Sequence, residues 1–435
     1  MISPPWLGAA GVGVLFVLLF ARVPVWATLI LVGFAGNWAL TGWDSAFALL
    51  GTTPFDTTSI YALSVVPLFI ITGGIASVTG LSADLFRAAR VLLSGIRGGL
   101  SIATIVASAC FGAVCGSSIA TAATMTRIAL GEMREASYAD TAATGAIAAG
   151  GSLGILFPPS IILVIYAAIA EQSVPKLFAA GLLPGIVLTL LYILVAIVMA
   201  HLRPHEQPLA PSAPVRERFR AILRPWQFVT LFGVSIGGIY AGIFSPTEAA
   251  SVAALGAILL GVAGRKLNAG QLVRTVANAS KTSCALFVII IGANVFSSFI
   301  VQTQLPSLLA DAAKTLALPG IAVMVLVIVA YIIMGCFLEG IGMILITVPV
   351  FLPLVKSFGY DPIWFAIIVV IVVEVGLIHP PVGMNLFVIQ AQAPDVKIAS
   401  IYRGILPYLL APLVLILMLL AFPGLALWLP RLLYG

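Results

Sequence analysis

The stretch "GLIHPPVGMNLF", residues 376–387, sets two consecutive prolines inside an apolar segment that otherwise reads as a helix through a membrane. Proline has no N–H, so Pro380 and Pro381 remove the helical partners of the Gly376 and Leu377 carbonyls. In hydrocarbon such orphan carbonyls are costly, and the break is tolerated only where protein, water or an ion satisfies them. Past the break the helix restarts, presenting free N–H groups and the positive end of its dipole, an arrangement that suits an anion. Asn385, one turn beyond Pro381, carries an amide able to cap that restarted helix and to reach an ion or substrate.

The same pattern occurs once before. In "LGILFPPS", residues 153–160, Gly154, Pro158 and Pro159 each precede Gly376, Pro380 and Pro381 by 222 positions, and Pro24 precedes Pro246 by the same interval. Here the freed carbonyls belong to Gly154 and Ile155. A repeated G-x-x-x-P-P in two halves is the pattern of a secondary transporter built from repeats with one interrupted span in each.

Composition fixes the solvent in which these breaks sit. The chain is 61% hydrophobic and 8% charged, with mean hydropathy +1.18, whereas a soluble domain carries charge on about a quarter of its residues. Long apolar runs rather than alternation make it an all-α polytopic membrane protein and exclude a β-barrel. Trp6–Phe20 has no basic residue before it and no small-residue cleavage site after it, so it reads as a retained span, not a signal peptide. Cys110, Cys115, Cys284 and Cys336 sit in apolar or small-residue segments without metal spacing and read as packing residues.

Ten full spans are expected near 6–21, 23–41, 60–80, 138–168, 177–202, 227–244, 247–264, 281–301, 362–391 and 403–428. Two stretches, 98–131 and 321–355, are too long and too rich in Gly, Ser, Thr or Pro for single helices and fit re-entrant hairpins. Amphipathic pieces near 43–57, 82–95, 267–280 and 305–316 fit the interface. On this topology seventeen of the 21 Lys and Arg residues share one compartment, and Lys176, Lys314, Lys356 and Arg431 face the other. The basic side is cytoplasmic and both termini lie outside; with basic residues reporting orientation, nucleic acid is not an expected partner. The chain divides into residues 1–202, a cytoplasmic linker at 203–226, and 227–435. Each half has five spans and one hairpin, and the odd number inverts the second half relative to the first.

The hairpin tips supply complementary chemistry. "CGSSIATAAT", residues 115–124, offers the hydroxyls of Ser117, Ser118, Thr121 and Thr124 among small residues, and "MGCFLEGIGM", residues 334–343, places Glu339 among glycines. Small residues also pack helices together, but an acid inside an apolar hairpin is a functional candidate. Glu374 reads as a structural carboxylate and His379 as a hydrogen-bonded core residue. "SPTE", residues 245–248, is a helix start: Ser245 caps, Pro246 is the first helical residue and Glu248 closes the box.

Together, "GSLGILFPPSIILVIYA", "GIFSPTEAASVAA", "FLPLVKSFGYDPIWF" and "EVGLIHPPVGMNLFVIQ" resemble the DctM-like large membrane subunit of tripartite ATP-independent periplasmic (TRAP) transporters, over essentially the full length. The resemblance implies an elevator-type fold of the ion-transporter superfamily, with a scaffold of early spans in each half and a moving domain of hairpins and interrupted spans. It implies a sodium gradient as driver, a small four-helix membrane subunit on a separate chain, a periplasmic binding protein that delivers a small organic anion, and location in a bacterial inner membrane. By position, Gly116, Ser117, Ser118 and Thr121 with Gly154, Ile155, Pro158 and Pro159 would form one Na+ site. Gly335 and Glu339 with Gly376, Leu377, Pro380 and Pro381 would form a second, with substrate between them near Ser117, Ser160 and Asn385. Two positions depart from the family: His379 stands where threonine is usual, and Glu339 where aspartate is often found, leaving open a proton in place of one sodium ion.

A stand-alone sodium- or proton-coupled carboxylate transporter of the same superfamily is the alternative. An intramembrane enzyme would need a catalytic cluster, and the three histidines (His201, His205, His379) form none by spacing.

Overall fold

The computed structural model describes residues 3–209, 211–335 and 338–435; Cys336 lies outside them. The described residues form helices and connecting turns, with no strand among them. Among the described residues seven helical stretches are long and apolar enough to cross a membrane, and six further apolar helices are shorter.

Each of the two stretches expected as a hairpin holds a pair of helices. The first pairs Gly99–Cys115 with Ser118–Glu135, turning at Gly116, whose φ of +63° suits a residue without Cβ. The second pairs Gly320–Gly335 with Gly340–Ser357. Both interrupted spans form as well. Asp140–Ser152 runs into a single tight turn, Leu153–Ile155, and helix resumes at Ile161–Ala170. Pro362–Ile378 ends at extended His379, and helix resumes at Met384–Gln392. At both doublets the Pro–Pro peptide is cis.

Two expected boundaries are corrected. The separate pieces at 267–280 and 281–301 are one 34-residue helix, Ala269–Gln302. No proline interrupts it, whereas the corresponding region of the first half divides at Ser59–Ile60 into Trp43–Thr58 and Tyr61–Val78, with Pro67 in the second piece. The span expected at 403–428 is divided too: helix runs to Ala421 and restarts as Gly424–Tyr434. Phe422 precedes Pro423 and takes φ −132°, ψ 78°, outside the helical region as the proline ring requires.

The long helix crosses Val25–Thr41 closely. A Cβ on Gly33 would lie 2.7 Å from the Phe296 nitrogen. Beside that crossing Asn37 donates to the Val295 carbonyl (3.1 Å) and accepts from Gln302 Nε2 (2.9 Å). Thus an early helix of the first half is joined to one of the second by backbone approach and an amide network. The linker is also strapped down: buried Gln207 accepts from Ser101 Oγ (3.0 Å), and the Glu206 carbonyl accepts from the Ala139 N–H (3.0 Å).

Candidate functional site

Each hairpin tip caps its own second arm. Ser117 Oγ accepts from the Ala120 N–H at 3.3 Å, and Glu339 Oε2 accepts from the Gly342 N–H at 3.3 Å. Both residues of the second pair follow the first by 222 positions, the interval that separates the proline doublets. Ser245 and Glu248 close the capping box expected of them.

Behind each tip, backbone meets backbone. A Cβ on Gly112 would stand 2.6 Å from Gly154 Cα, and one on Gly376 would stand 2.8 Å from Gly335 Cα. At the first break a Cβ on Gly154 would fall 2.8 Å from both the Ser117 carbonyl oxygen and Thr121 Oγ1, and one on Gly116 would fall 2.4 Å from the Pro159 carbonyl oxygen. Tip and break therefore approach each other at two places, Gly154 against the Ser117 carbonyl and Thr121 Oγ1 and Gly116 against the Pro159 carbonyl, and at each a Cβ would clash. Thr121 is fully buried and donates to the Ser117 carbonyl (2.8 Å).

Ser160 is turned inward. It is fully buried, its hydroxyl donates to the Ile155 carbonyl and accepts from the Leu163 N–H (3.3 Å). It caps the restarted helix and answers one of the two carbonyls freed by Pro158 and Pro159. In the second half the restarted helix is capped not by Asn385 but by Gly383, at φ +56°. Asn385 instead reaches across the molecule: fully buried, it donates through Nδ2 to Ser118 Oγ (2.6 Å), and its Oδ1 has no hydrogen-bond partner. The second break is thereby tied to the first hairpin. The Pro381 carbonyl accepts from the Tyr402 hydroxyl (2.6 Å).

Between the tips lies a cavity of about 590 Å³, within the range of small-molecule sites. Of the expected site residues, Gly116, Ser117, Ser118, Ile155, Glu339 and Leu377 line it. Thr121, Gly154, Pro158, Pro159, Ser160, Gly335, Gly376, Pro380, Pro381 and Asn385 are not in its wall; Asn385 touches it through Ser118. The opposite wall comes from the helix Val65–Val78, through Gly73, Gly74 and Ser77, and from the long helix, through Asn278 and Thr282.

Arg127 also lines the cavity, with a guanidinium N–H 3.5 Å from Thr124 Oγ1, which is itself 3.4 Å from Ser77 Oγ. In the sequence Arg127 reads only as one of the seventeen basic residues that set the topology. Its spacing was the available signal, since Ser117, Ala120, Thr124 and Arg127 recur at three and four residues along one helix and share a face. Glu374 stands apart from the cavity and fully buried, and the bond to a neighbouring helix expected of a structural carboxylate is not made, since neither oxygen has a hydrogen-bond partner.

At the mouth of this domain Arg134 forms a fork with Asp140 (2.8 and 3.2 Å) and a third bond to Asp395 (2.6 Å). It joins the end of the first hairpin to the start of the first interrupted span and to the loop after the second. The Arg134 guanidinium holds the Asp395 carboxyl below the usual aspartate range.

The fold places the chain in a class. It matches the YdaH transporter of Alcanivorax borkumensis with a TM-score of 0.66 at 17% identity, over 90% of this chain and 91% of that one. Neisseria gonorrhoeae MtrF, described with a class of antimetabolite efflux pumps, matches with a TM-score of 0.56 at 18% identity, covering 88% and 85%. The chain is thus a polytopic helical membrane protein of a fold found among transporters. Sequence then gives the family: residues 12–425 match the tripartite ATP-independent periplasmic transporter, DctM component, and the chain belongs to that family of transporters. It is 34% identical to the C4-dicarboxylate TRAP transporter large permease protein DctM of Pseudomonas aeruginosa, covering 87% of this chain and 88% of the relative. It is 31% identical to the sialic acid TRAP transporter large permease protein SiaM of Vibrio cholerae (99% and 98%). It is 32% identical to the ectoine/5-hydroxyectoine large permease protein UehC of Ruegeria pomeroyi (85% and 86%).

Proposed function

We propose that this chain is the large permease subunit of a sodium-driven TRAP transporter that takes a small organic anion, a carboxylate or sugar acid, across a bacterial inner membrane. The observation that carries the reading is the cavity between two capped hairpin tips, each tip backed by glycine-to-glycine contact with a helix break. One sodium ion is held where Ser117, Thr121 and Gly116 crowd Gly154 and Pro159. A second is held where Gly335 and Glu339 face Gly376, Leu377 and the second doublet. The substrate occupies the cavity between them, its anionic group toward Arg127 and Thr124, its other polar groups toward Ser118 and the Ser118–Asn385 bond.

A sodium ion at the second site offsets the Glu339 carboxylate and one at the first adds positive charge to a neutral tip, letting the hairpins close on the anion, so ion and anion bind together. The recurrence of 222 residues in caps and breaks supports two inverted repeats of residues 1–202 and 227–435, joined by the linker at 203–226, with both termini periplasmic. The hairpins and interrupted spans then move as a body past the scaffold built on Val25–Thr41 and Ala269–Gln302. A separate four-helix membrane subunit and a periplasmic binding protein complete the system; relatives named for C4-dicarboxylates and for sialic acid suggest the substrate class.

The test is uptake into proteoliposomes holding both membrane subunits, with the binding protein and labelled C4-dicarboxylate or sialic acid outside and sodium and membrane potential varied separately. Sodium-dependent uptake is expected, and it should vanish for Ser118→Ala and for Asn385→Ala while both proteins remain inserted. Uptake indifferent to sodium, or unchanged in both variants, would overturn the assignment.

A further inference from the structure

The linker helix Val215–Leu223 shows three stripes that the transport site does not use. One faces the protein. Ala221 is buried there, and Arg218 donates to the Ser94 carbonyl (2.7 Å) and to Ser212 Oγ (2.9 Å). A second stripe is apolar and uncovered: Val215, Phe219, Ile222 and Leu223 are 82%, 67%, 57% and 63% exposed, and Trp226 extends the row at 54%. The third is Arg216, Arg220 and Arg224, four residues apart and exposed, and no carboxylate among the described residues pairs with them. At 100° per residue the apolar row and the basic row are neighbours, and Glu217 stands between the basic row and the docked face.

We propose that this helix is a lipid anchor, seated in the membrane interface, with its apolar row among acyl chains and its three free arginines on the headgroups of anionic phospholipids. Two observations select lipid. An exposed apolar row flanked by unpaired guanidinium groups is the pattern of an interfacial helix attracted to anionic headgroups. Continuity sets its depth. The helix ends at Leu223, and after a turn at Arg224 and Pro225 the chain enters Trp226–Tyr240, within a stretch that holds a window long and apolar enough to cross a membrane, so the linker helix lies directly at the end of a span. Arg218 and the strapped Gln207 bind the other side of this linker to the first hairpin's neighbourhood. Anionic lipid thereby grips a segment bonded to the helices that carry the first tip.

The experiment uses the full chain in vesicles of phosphatidylcholine alone or with phosphatidylglycerol, carrying an environment-sensitive fluorescent amino acid at position 219 or at 216. At 219 the emission should be quenched by lipids bearing a spin label in the acyl chain, and at 216 by aqueous iodide. Each arginine facing anionic headgroups shifts the balance between a seated and a lifted helix by about fivefold. Phosphatidylglycerol should therefore deepen the 219 signal, and the triple variant R216Q/R220Q/R224Q should lose that dependence while melting as the parent does. A 219 signal open to iodide in both vesicles would overturn the proposal and leave the face to a protein partner. So would a triple variant that keeps its full response to phosphatidylglycerol. Neither outcome depends on transport.

Discussion

The two hairpin tips use the same backbone and opposite side chains. Ser117 and Glu339 cap their helices through hydrogen bonds of equal length to amides three residues on, yet one is neutral and the other a carboxylate. The breaks behind them differ in the same sense. At the first, Ser160 folds its hydroxyl back onto the Ile155 carbonyl; at the second, the residue 222 positions later is Val382, the cap is Gly383, and the Pro381 carbonyl is met by Tyr402, from a later helix of the same half. The first half thus satisfies itself with local hydroxyls. The second places an acid at its tip and takes its other hydrogen bonds from distant elements. On the proposed function, a cation at the first site would meet only dipoles and one at the second an ionised Glu339, and hydrogen bonds to an ionised partner are about twice as strong as neutral ones.

The comparison breaks most visibly at the glycines. Gly154→Ala and Gly376→Ala each drive a methyl into backbone less than 3 Å away, an overpacking that costs about 1–3 kcal/mol. Sodium-dependent uptake should fall about tenfold or more in both variants, since about 1.4 kcal/mol is a factor of ten. If one variant transports normally, the shared backbone scheme is wrong for that half.

Charge provides the next test. Glu339→Gln keeps the shape of the cap and removes the charge, and the sodium concentration for half-maximal uptake should rise about tenfold, in line with the loss of one charge-assisted contact of about 1.5 kcal/mol. Ser117→Ala removes a neutral cap worth about 1 kcal/mol, and the same quantity should rise no more than about fivefold. An equal rise in the two variants would erase the distinction between a charged and a neutral site.

What could be seen beforehand was whatever lies close together in the chain. Pro158–Pro159 and Pro380–Pro381 announced their breaks, and the polar tips at 115–124 and 334–343 announced the hairpins, because both depend on local backbone chemistry. The bond from Asn385 to Ser118 spans 267 residues, and no local pattern encodes which buried amide meets which hydroxyl. Asn385 looked like a cap because it follows the break by a turn; Gly383 took that place since the backbone there needs positive φ. Arg127 was absorbed into a count of basic residues, a reading that sees sidedness but not which charge turns inward to a cavity. The union of 267–280 with 281–301 was missed because an amphipathic turn and an apolar span differ in solvent without differing in backbone.

The Ser118–Asn385 bond sharpens the comparison further, since it is where the first tip leans on the second break. A cycle of S118A, N385A and the double variant, read as the midpoint of thermal unfolding, should give a coupling of about 1 kcal/mol. Additive effects would mean that the two halves of the site are built independently.

The smallest effect belongs to the clamp of Arg134, Asp140 and Asp395. Arg134 lowers the Asp395 carboxyl below its usual range, so ionised Asp395 favours the folded state above the ordinary aspartate value of about 4. As pH falls through the lowered value both states bind the proton and that contribution is lost. Asp395 is solvent-exposed, and an ion pair screened by water contributes little, so Asp395→Asn should leave uptake near neutrality almost unchanged. The parent should lose a small part of its thermal stability as pH falls below about 4, through Asp395 among other carboxylates, and the variant should lose less. Because the Arg134–Asp140 fork does not involve residue 395, a large loss of uptake for Asp395→Asn would show that the third bond, not the fork, couples the loop after the second break to the first hairpin.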